Sequence, residues 1–546
     1  GKIQDGLYLL NSQLGWILSG RISIQYGEPE ENVMLMIIQT VSQLPSEVIY
    51  QPLTKDPLPI ESKVADFWSL ELIWIKSEEN KVQDTVMEHF KRTITKKDGR
   101  FQVSWPWKEQ NIDLPENYEL SLGRLKSMKK KLDGNPELLH RYNQVIQDQL
   151  KKGIIEKVTE ENSNRKHYIP HHAVINAEKS TTKLRVVYDA SAKTKKGNKS
   201  LNECLHRGPI ILEDLCSLLL WFRTKKIGII ADIEKAFLQV SIQEKDRDVT
   251  RFLWIKDIRK KERNENIETY RFTRIPFGII SSPFLLAGTV RHHLEQVNTA
   301  ISRQIRDDIY VDNVVTGVDE ENEAVKLYRE GKEIFENASM NLWEWLSNSN
   351  AVNNKIKPDD RLNESFVKVL GLRWNTLKDD LYISMKKFDE FGETTTKRKI
   401  LAMMASIFDP LGLITPSTIE MKIFLQELWE KGKDWDETLL KCETLQWKKI
   451  MKDLDELCTT SNPRFIGNGK SQLLCFCDAS SKAYATVIYL RTMEAGRIQT
   501  NLIFSKARNA PIKPLTIPRL ELLSVLIGVR SLKFVEKKFT AWYNRP

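Results

Sequence analysis

Between residues 309 and 317 the chain reads Ile309-Tyr310-Val311-Asp312-Asn313-Val314-Val315-Thr316-Gly317, two β-branched apolar runs around a polar pair. That pattern predicts a strand, a two-residue turn at Asp312-Asn313 and a returning strand, with a carboxylate held at the hairpin tip. A second apolar run, Ile227 to Ala231, leads into Asp232 and then Ile233-Glu234-Lys235-Ala236-Phe237. Two strands that each end in an aspartate, lying side by side, would bring Asp232 and Asp312 together. Carboxylates paired in this way hold hard cations and suit phosphoryl transfer.

Elsewhere the periodicity alternates between helix and strand. From Val64 to Ile155 it is helical: Phe67, Trp68, Leu70, Leu72 and Ile73 cluster, and Leu120, Leu122, Leu125, Met128 and Leu132 recur at helical spacing. Lys126, Lys129, Lys130 and Lys131 fill the remaining positions; they could touch phosphates, but a solvated helix face is the commoner explanation. Asn135-Pro136 opens a further helix to Lys152, asparagine capping free amides and proline fitting the first turn. Tyr168 to Val174 and Lys183 to Tyr188 read as paired strands around the polar turn 178–181. Neighbours on a strand point to opposite faces, so His171 and His172 are read as structural histidines rather than metal ligands. Arg251–Ile255 and Thr269–Thr273 are strands around a polar loop at 262–266, and Ser281-Ser282-Pro283 caps a helix to about Gln296. Glu321 to Ser339 is amphipathic. Val367 to Trp374 and Leu381 to Ile383 suggest a hairpin, and Thr396 to about Cys458 is helical, punctuated by Pro410 and Pro416. Leu473 to Asp478 reads as a strand ending in a carboxylate, and a helix carrying Glu521 starts at Pro518.

Composition narrows the classes. The 546 residues are 41% hydrophobic and 29% charged, enough apolar material for several domains. The formal charge of +10 permits a polyanionic partner without demanding one. Cys204, Cys216, Cys442, Cys458, Cys475 and Cys477 contain no Cys-x-x-Cys pair, and no histidine follows His293, which argues against a zinc module in the C-terminal half. Scattered cysteines of this kind suit a reducing compartment. No run reaches membrane-spanning length, since Glu213 and Asp214 interrupt the apolar segment from Ile210 to Phe222. Without an initiator methionine ahead of Gly1, the chain reads as a piece of something longer.

Five strings carry a family likeness. Ala231-Asp232-Ile233-Glu234-Lys235-Ala236-Phe237 resembles the first palm motif of reverse transcriptases, and Tyr310-Val311-Asp312-Asn313 their Tyr-x-Asp-Asp hairpin with the last residue changed. Leu184 to Ser191, Ile275-Pro276-Phe277-Gly278, and Ile407-Phe408-Asp409-Pro410-Leu411-Gly412-Leu413 resemble the Pao (BEL) family of long-terminal-repeat retrotransposons. The resemblance implies a multidomain α+β fold: a right-hand polymerase of fingers, palm and thumb, then a partial ribonuclease H-like domain. It divides the chain into a retropepsin-like protease remnant at 1–60, a helical extension at 61–155, and fingers and palm at 156–385. A helical thumb and connection follow at 386–465, and a truncated ribonuclease H-like domain at 466–546. Leu14-Gly15-Trp16-Ile17-Leu18-Ser19-Gly20 carries the protease likeness, with an anonymous β-hairpin as the alternative; no Asp-Thr/Ser-Gly motif is present, so no protease activity is expected.

By resemblance, Asp232, Asp312 and Asn313 are catalytic, and Asp232, Asp312 and the Ile233 carbonyl hold Mg²⁺, with Mn²⁺ as the substitute. Arg185, assisted by Lys183, holds the incoming triphosphate; Phe237 lies under its sugar and rejects a 2′-hydroxyl. Phe277 stands where many retroviral enzymes have glutamine, and Gly278 lets template or nucleotide approach its backbone. Lys193, Lys195, Lys196 and Lys199 form a basic loop near the template. Asp478 and Glu521 correspond to the first two ribonuclease H carboxylates; no aspartate follows Asp478, so that activity is not expected. The implied function is RNA-directed DNA polymerisation by a retrotransposon enzyme, weakened rather than abolished by Asn313. The implied partners are an RNA or DNA template with primer, deoxynucleoside triphosphates and the other polyprotein parts (protease, integrase), with no membrane, in a cytoplasmic retroelement particle. The competing readings are a degenerate, domesticated protein that binds nucleic acid without polymerising, and an assembly subunit of such a particle.

Overall fold

The computed structural model describes residues 80–543 except 110–112, 160–164, 176–183, 196, 261–262, 385–394, 468–469 and 495, and strand segments within residues 2–39. The apolar cluster at 67–73, the turn at 178–181, Lys183 and Lys196 therefore lie outside the described residues.

Two large cores organise the chain. The first gathers Phe90, Trp105, Leu125 and Ile146 with Ile229, Trp254, Leu286 and Trp345, so the helical extension packs onto the strands that follow it. The second joins Trp374, Phe424 and Trp447 to Cys475, Ile488 and Val535; the helices of 397–458 and the last sheet thus share one apolar interior.

At the centre of the first half lies a four-stranded antiparallel sheet in the order Ile309–Tyr310, Asn313–Val318, Ile227–Ile233, Leu342–Ser347. The helices Ala300–Asp308 and Glu321–Glu336 pack on it, and Ser282–Val297 packs on Ala300–Asp308. His171–Ile175 pairs with Leu184–Tyr188, and Arg251–Ile255 with Ile267–Phe272. The helix Pro136–Lys151 starts where the Asn-Pro pair places it, with Asn135 Oδ1 accepting the Leu138 amide at 3.1 Å.

Four local expectations change. Residues 95–103 form a hairpin inside the stretch expected to be helical: Thr95–Lys97 and Arg100–Val103 flank Asp98 and Gly99, whose φ values of 50° and 76° suit a tight hairpin turn. Lys129 is buried, not on a solvated face; it pairs with Asp133 one turn on and lays its stem against the core. Ser281 makes no capping bond and its hydroxyl is buried without a partner, while Ser282 bonds the Pro276 carbonyl at 2.9 Å. In the basic loop, Lys193 and Lys199 are held by Glu203 and Glu109.

The meander Phe366–Val369, Leu372–Asn375, Asp380–Tyr382 closes on Asn462–Pro463. Arg464, fully buried, ties it to the central sheet: its guanidinium meets both Asp379 oxygens at 2.6 and 2.7 Å. It also donates to the carbonyls of Phe222, Lys225 and Lys226 at 2.5 to 2.9 Å.

The last sheet has eight strands. Lys470–Ala479, Ala483–Glu494 and Arg497–Asn509 form an antiparallel meander, and Met36–Gln39 pairs with the free edge of the first. Leu7–Ser12 and Gly15–Ile22 form a hairpin that extends that edge. The helix Ile517–Tyr543 crosses the sheet where Gly528 meets the sulfurs of Cys475 and Cys477; a Cβ at that glycine would collide with Cys477. Among the described residues no helix is long and apolar enough to cross a membrane.

Candidate active site

The hairpin turn falls one residue earlier than the pattern predicts. Tyr310 pairs with Asn313, so Val311-Asp312 make the turn and Asn313 begins the returning strand. The shift requires Val311 to take a φ of 60°, a left-handed conformation that costs a β-branched residue roughly 1–3 kcal/mol. The turn is pinned by the neighbouring strand, where the Ile233 amide donates to the Asp312 carbonyl at 2.9 Å.

Asp232 lies within the Ile227–Ile233 strand, one residue before its end, flanked by Asn313 on one side and Trp343 on the other. The two aspartates are close enough for Asp312 to act on Asp232. Burial, then the Asp312 charge, then that of Glu344, push the Asp232 carboxyl up to about 7. Burial also raises Asp312, against the hydrogen bond from Asn313. Two half-buried carboxyl groups whose acidity is suppressed by desolvation and by like charge form a place that a cation would stabilise. The residues present therefore fit a divalent ion by donor chemistry: two hard oxygen ligand groups. Among the described residues, no group of three or more His, Cys, Asp and Glu is arranged to hold a metal.

Glu344 has no counterpart in the sequence reading. It sits with a φ of 51° on the Leu342–Ser347 strand, where the register slips opposite Ile230 and Asp232. Nothing local in Leu342-Trp343-Glu344-Trp345 marks it; only the pairing of distant strands places it beside Asp232.

Phe237 and Phe277 do meet, their ring centroids 4.7 Å apart at 52°. Phe237 is half-buried in a short 3₁₀ turn, while Phe277 is 54% exposed. Gly278 has a φ of 95°, and a Cβ there would collide with the Tyr188 carbonyl oxygen. The glycine is thus required by the chain's own backbone before any ligand arrives. Arg185 is exposed on the Leu184–Tyr188 strand, opposite Val174.

His171 is buried and neutral. Its Nε2 lies 2.8 Å from the Leu253 carbonyl and so donates, leaving Nδ1 to accept from the Tyr142 hydroxyl at 2.5 Å. Burial lowers its pKa to about 4. His172 points outward, as strand alternation requires.

At the far end, Asp478 is exposed near the end of Lys470–Ala479, and Glu521 is half-buried early in the last helix. Cys475 and Cys477 face that helix, so alternation turns Asp478 to the other face of the strand. No hydrogen bond or ion pair among the described residues joins it to Glu521.

Two family models match the chain. Residues 177–348 match the family model for reverse transcriptase (RNA-dependent DNA polymerase), and residues 396–545 the model for the Pao retrotransposon-like RNaseH-like domain. No curated protein matches the chain. Among solved structures, the chain is similar to a foamy viral protease-reverse transcriptase dRH in complex with double-stranded DNA, at 14% identity and a TM-score of 0.49, over 97% of this chain and 84% of that one. It is also similar to a foamy viral protease-reverse transcriptase in complex with an RNA/DNA hybrid, at 15% identity and a TM-score of 0.46, over 97% of this chain and 64% of that one.

Proposed function

We propose, for a chain that carries a reverse-transcriptase domain followed by a Pao retrotransposon-like RNaseH-like domain, that it is the RNA-directed DNA polymerase of a retrotransposon. The observation that carries the reading is the convergence of Asp232 and Asp312 across adjoining strands. Asp232 and Asp312 hold divalent cations, Mg²⁺ or in its place Mn²⁺. Bound there, such cations lower the pKa of a primer 3′-hydroxyl and offset the charge of a triphosphate. Asn313 orients the Asp312 carboxylate through its amide. Phe237 and Phe277 wall the nucleotide pocket, and Arg185 offers its fork of donors to the phosphates. Template, primer and deoxynucleoside triphosphates are the substrates, and protease and integrase parts of a polyprotein are the partners, in a cytoplasmic particle.

Primer extension tests this. Asp232→Asn should lower extension at least about a hundredfold with either Mg²⁺ or Mn²⁺, as expected for loss of a metal-binding carboxylate. Extension at the parent rate would remove the metal assignment.

One observation favours a second reading, a nucleic-acid-binding protein that no longer polymerises: an amide stands at position 313. That reading requires Mg²⁺-independent, salt-sensitive binding with no extension by the unaltered chain.

A further inference from the structure

The segment Gln239–Ile242, which follows the turn carrying Phe237, receives guanidinium hydrogen bonds from three directions. Arg100 donates Nη1 to the Gln239 carbonyl at 2.7 Å and to its side-chain Oε1 at 2.9 Å. Arg274 donates Nη1 to Ser241 Oγ at 2.6 Å. Arg247 donates Nε to the Ile242 carbonyl at 3.2 Å. Strand pairing brings these sites together: Ser241 pairs with Gln102 on one side and bridges to Arg274.

Their charges are not balanced. Glu156 is shared by Arg247 and Arg271, and Asp248 by Arg271 and Arg251. Asp246 is taken up by Ser104, Trp105 and Trp107, and Glu244 is exposed and forms no ion pair with Arg100 or Arg274 among the described residues. Arg100 and Arg274 have no ion-pair partner among the described residues. Each engages the protein through a single nitrogen, so the rest of each five-donor fork is unused. Both are half-buried. Burial lowers the pKa of each, and in Arg274 the charges of Arg100 and Arg247 add to it, down to about 10. Neighbouring guanidiniums held partly out of water without a counter-charge carry a desolvation and repulsion cost that a bound anion relieves.

We propose that Arg100 and Arg274 together bind a phosphate group, either of a nucleic-acid strand or free in solution. Planar guanidinium forks match phosphate oxygens in geometry as well as charge. The site uses neither Asp232 nor Asp312, and its existence does not depend on polymerisation.

The test uses the full chain in Mg²⁺-free buffer at constant ionic strength. One arm follows the melting temperature against inorganic phosphate, with chloride compensating. The other follows the anisotropy of a labelled single-stranded oligonucleotide against salt. If free phosphate is a ligand, millimolar phosphate raises the parent's melting temperature by several degrees and the Arg100→Gln/Arg274→Gln double variant loses the rise. If the phosphate belongs to a strand, the double variant binds the oligonucleotide about tenfold more weakly, with a flatter salt dependence, while free phosphate shifts nothing. Should the double variant fail to fold, Arg274→Gln decides alone, since the only described hydrogen bond of the Arg274 side chain is to one serine hydroxyl. Unchanged phosphate and oligonucleotide responses in the variant overturn the proposal, as does their absence in the parent. Asp232→Asn should keep both responses, so a failure of the polymerase reading is told apart from a failure of this one.

Discussion

Asn313 donates its side-chain Nδ2 to Asp312 Oδ1 at 2.8 Å while facing Asp232 across the sheet. The residue between the two aspartates is therefore a neutral bridge, bonded to one of them. A carboxylate in its place would lose that bond and add a third charge. Asn313→Asp should lower the Mg²⁺ concentration needed for half-maximal primer extension severalfold. It should also destabilise the metal-free protein by about 1–3 kcal/mol in urea unfolding. A raised Mg²⁺ requirement would show that position 313 does not face the cations.

The Phe237 ring packs against Phe277, and in the function proposed above it lies under the sugar and excludes a 2′-hydroxyl. Phe237→Ala should raise ribonucleotide incorporation relative to deoxynucleotide by about tenfold or more, the difference that one well-placed steric contact commonly makes. The readout is the ratio of kcat/KM for the two triphosphates. An unchanged ratio would return Phe237 to the role of a packing residue.

At Gly278, both the φ of 95° and the Tyr188 carbonyl reject a side chain. Gly278→Ala should cost about 1–3 kcal/mol of stability, measured by urea unfolding, because the backbone must leave its left-handed conformation or push the neighbouring strand away. A loss of activity at full stability would instead locate the glycine's role in ligand approach.

His171 gives the fold a pH dependence of definite sign. Its folded pKa, near 4, lies below the ordinary 6.5, so the unfolded chain binds more protons between those values. Stability is complete above about pH 6.5 and falls as the pH drops towards 4, by roughly 3 kcal/mol at the limit from this residue. Burial lowers His89, His167, His292 and His293 in the same direction. Unfolding midpoints between pH 7.5 and 4.5 should fall steadily, and less steeply in His171→Gln; parallel slopes would discount this histidine.

Much of the central sheet is visible in its residues, because its strands carry β-branched runs bounded by polar turns. The partner of each strand is also legible where a hairpin is short. The turn position is not, since nothing about Val311 announces a left-handed valine. The hairpin at 95–103 had its signal in Asp98-Gly99, overridden by the helical periodicity on either side. Glu344, Arg100 and Arg274 acquire meaning only through contacts between distant segments, and single-strand patterning carries no such information. The same holds for Met36–Gln39, whose partner strand starts at Lys470.

Arg464 joins the meander to the central sheet through one buried guanidinium. Its guanidinium holds the meander through Asp379 and grips the backbone at Lys226, from which the Asp232 strand departs. Five hydrogen bonds from one side chain thus run from the meander to the start of the strand that carries Asp232. For the polymerase proposed above, this tie predicts that Arg464→Met lowers stability and primer extension together, read by urea unfolding and extension on the same protein.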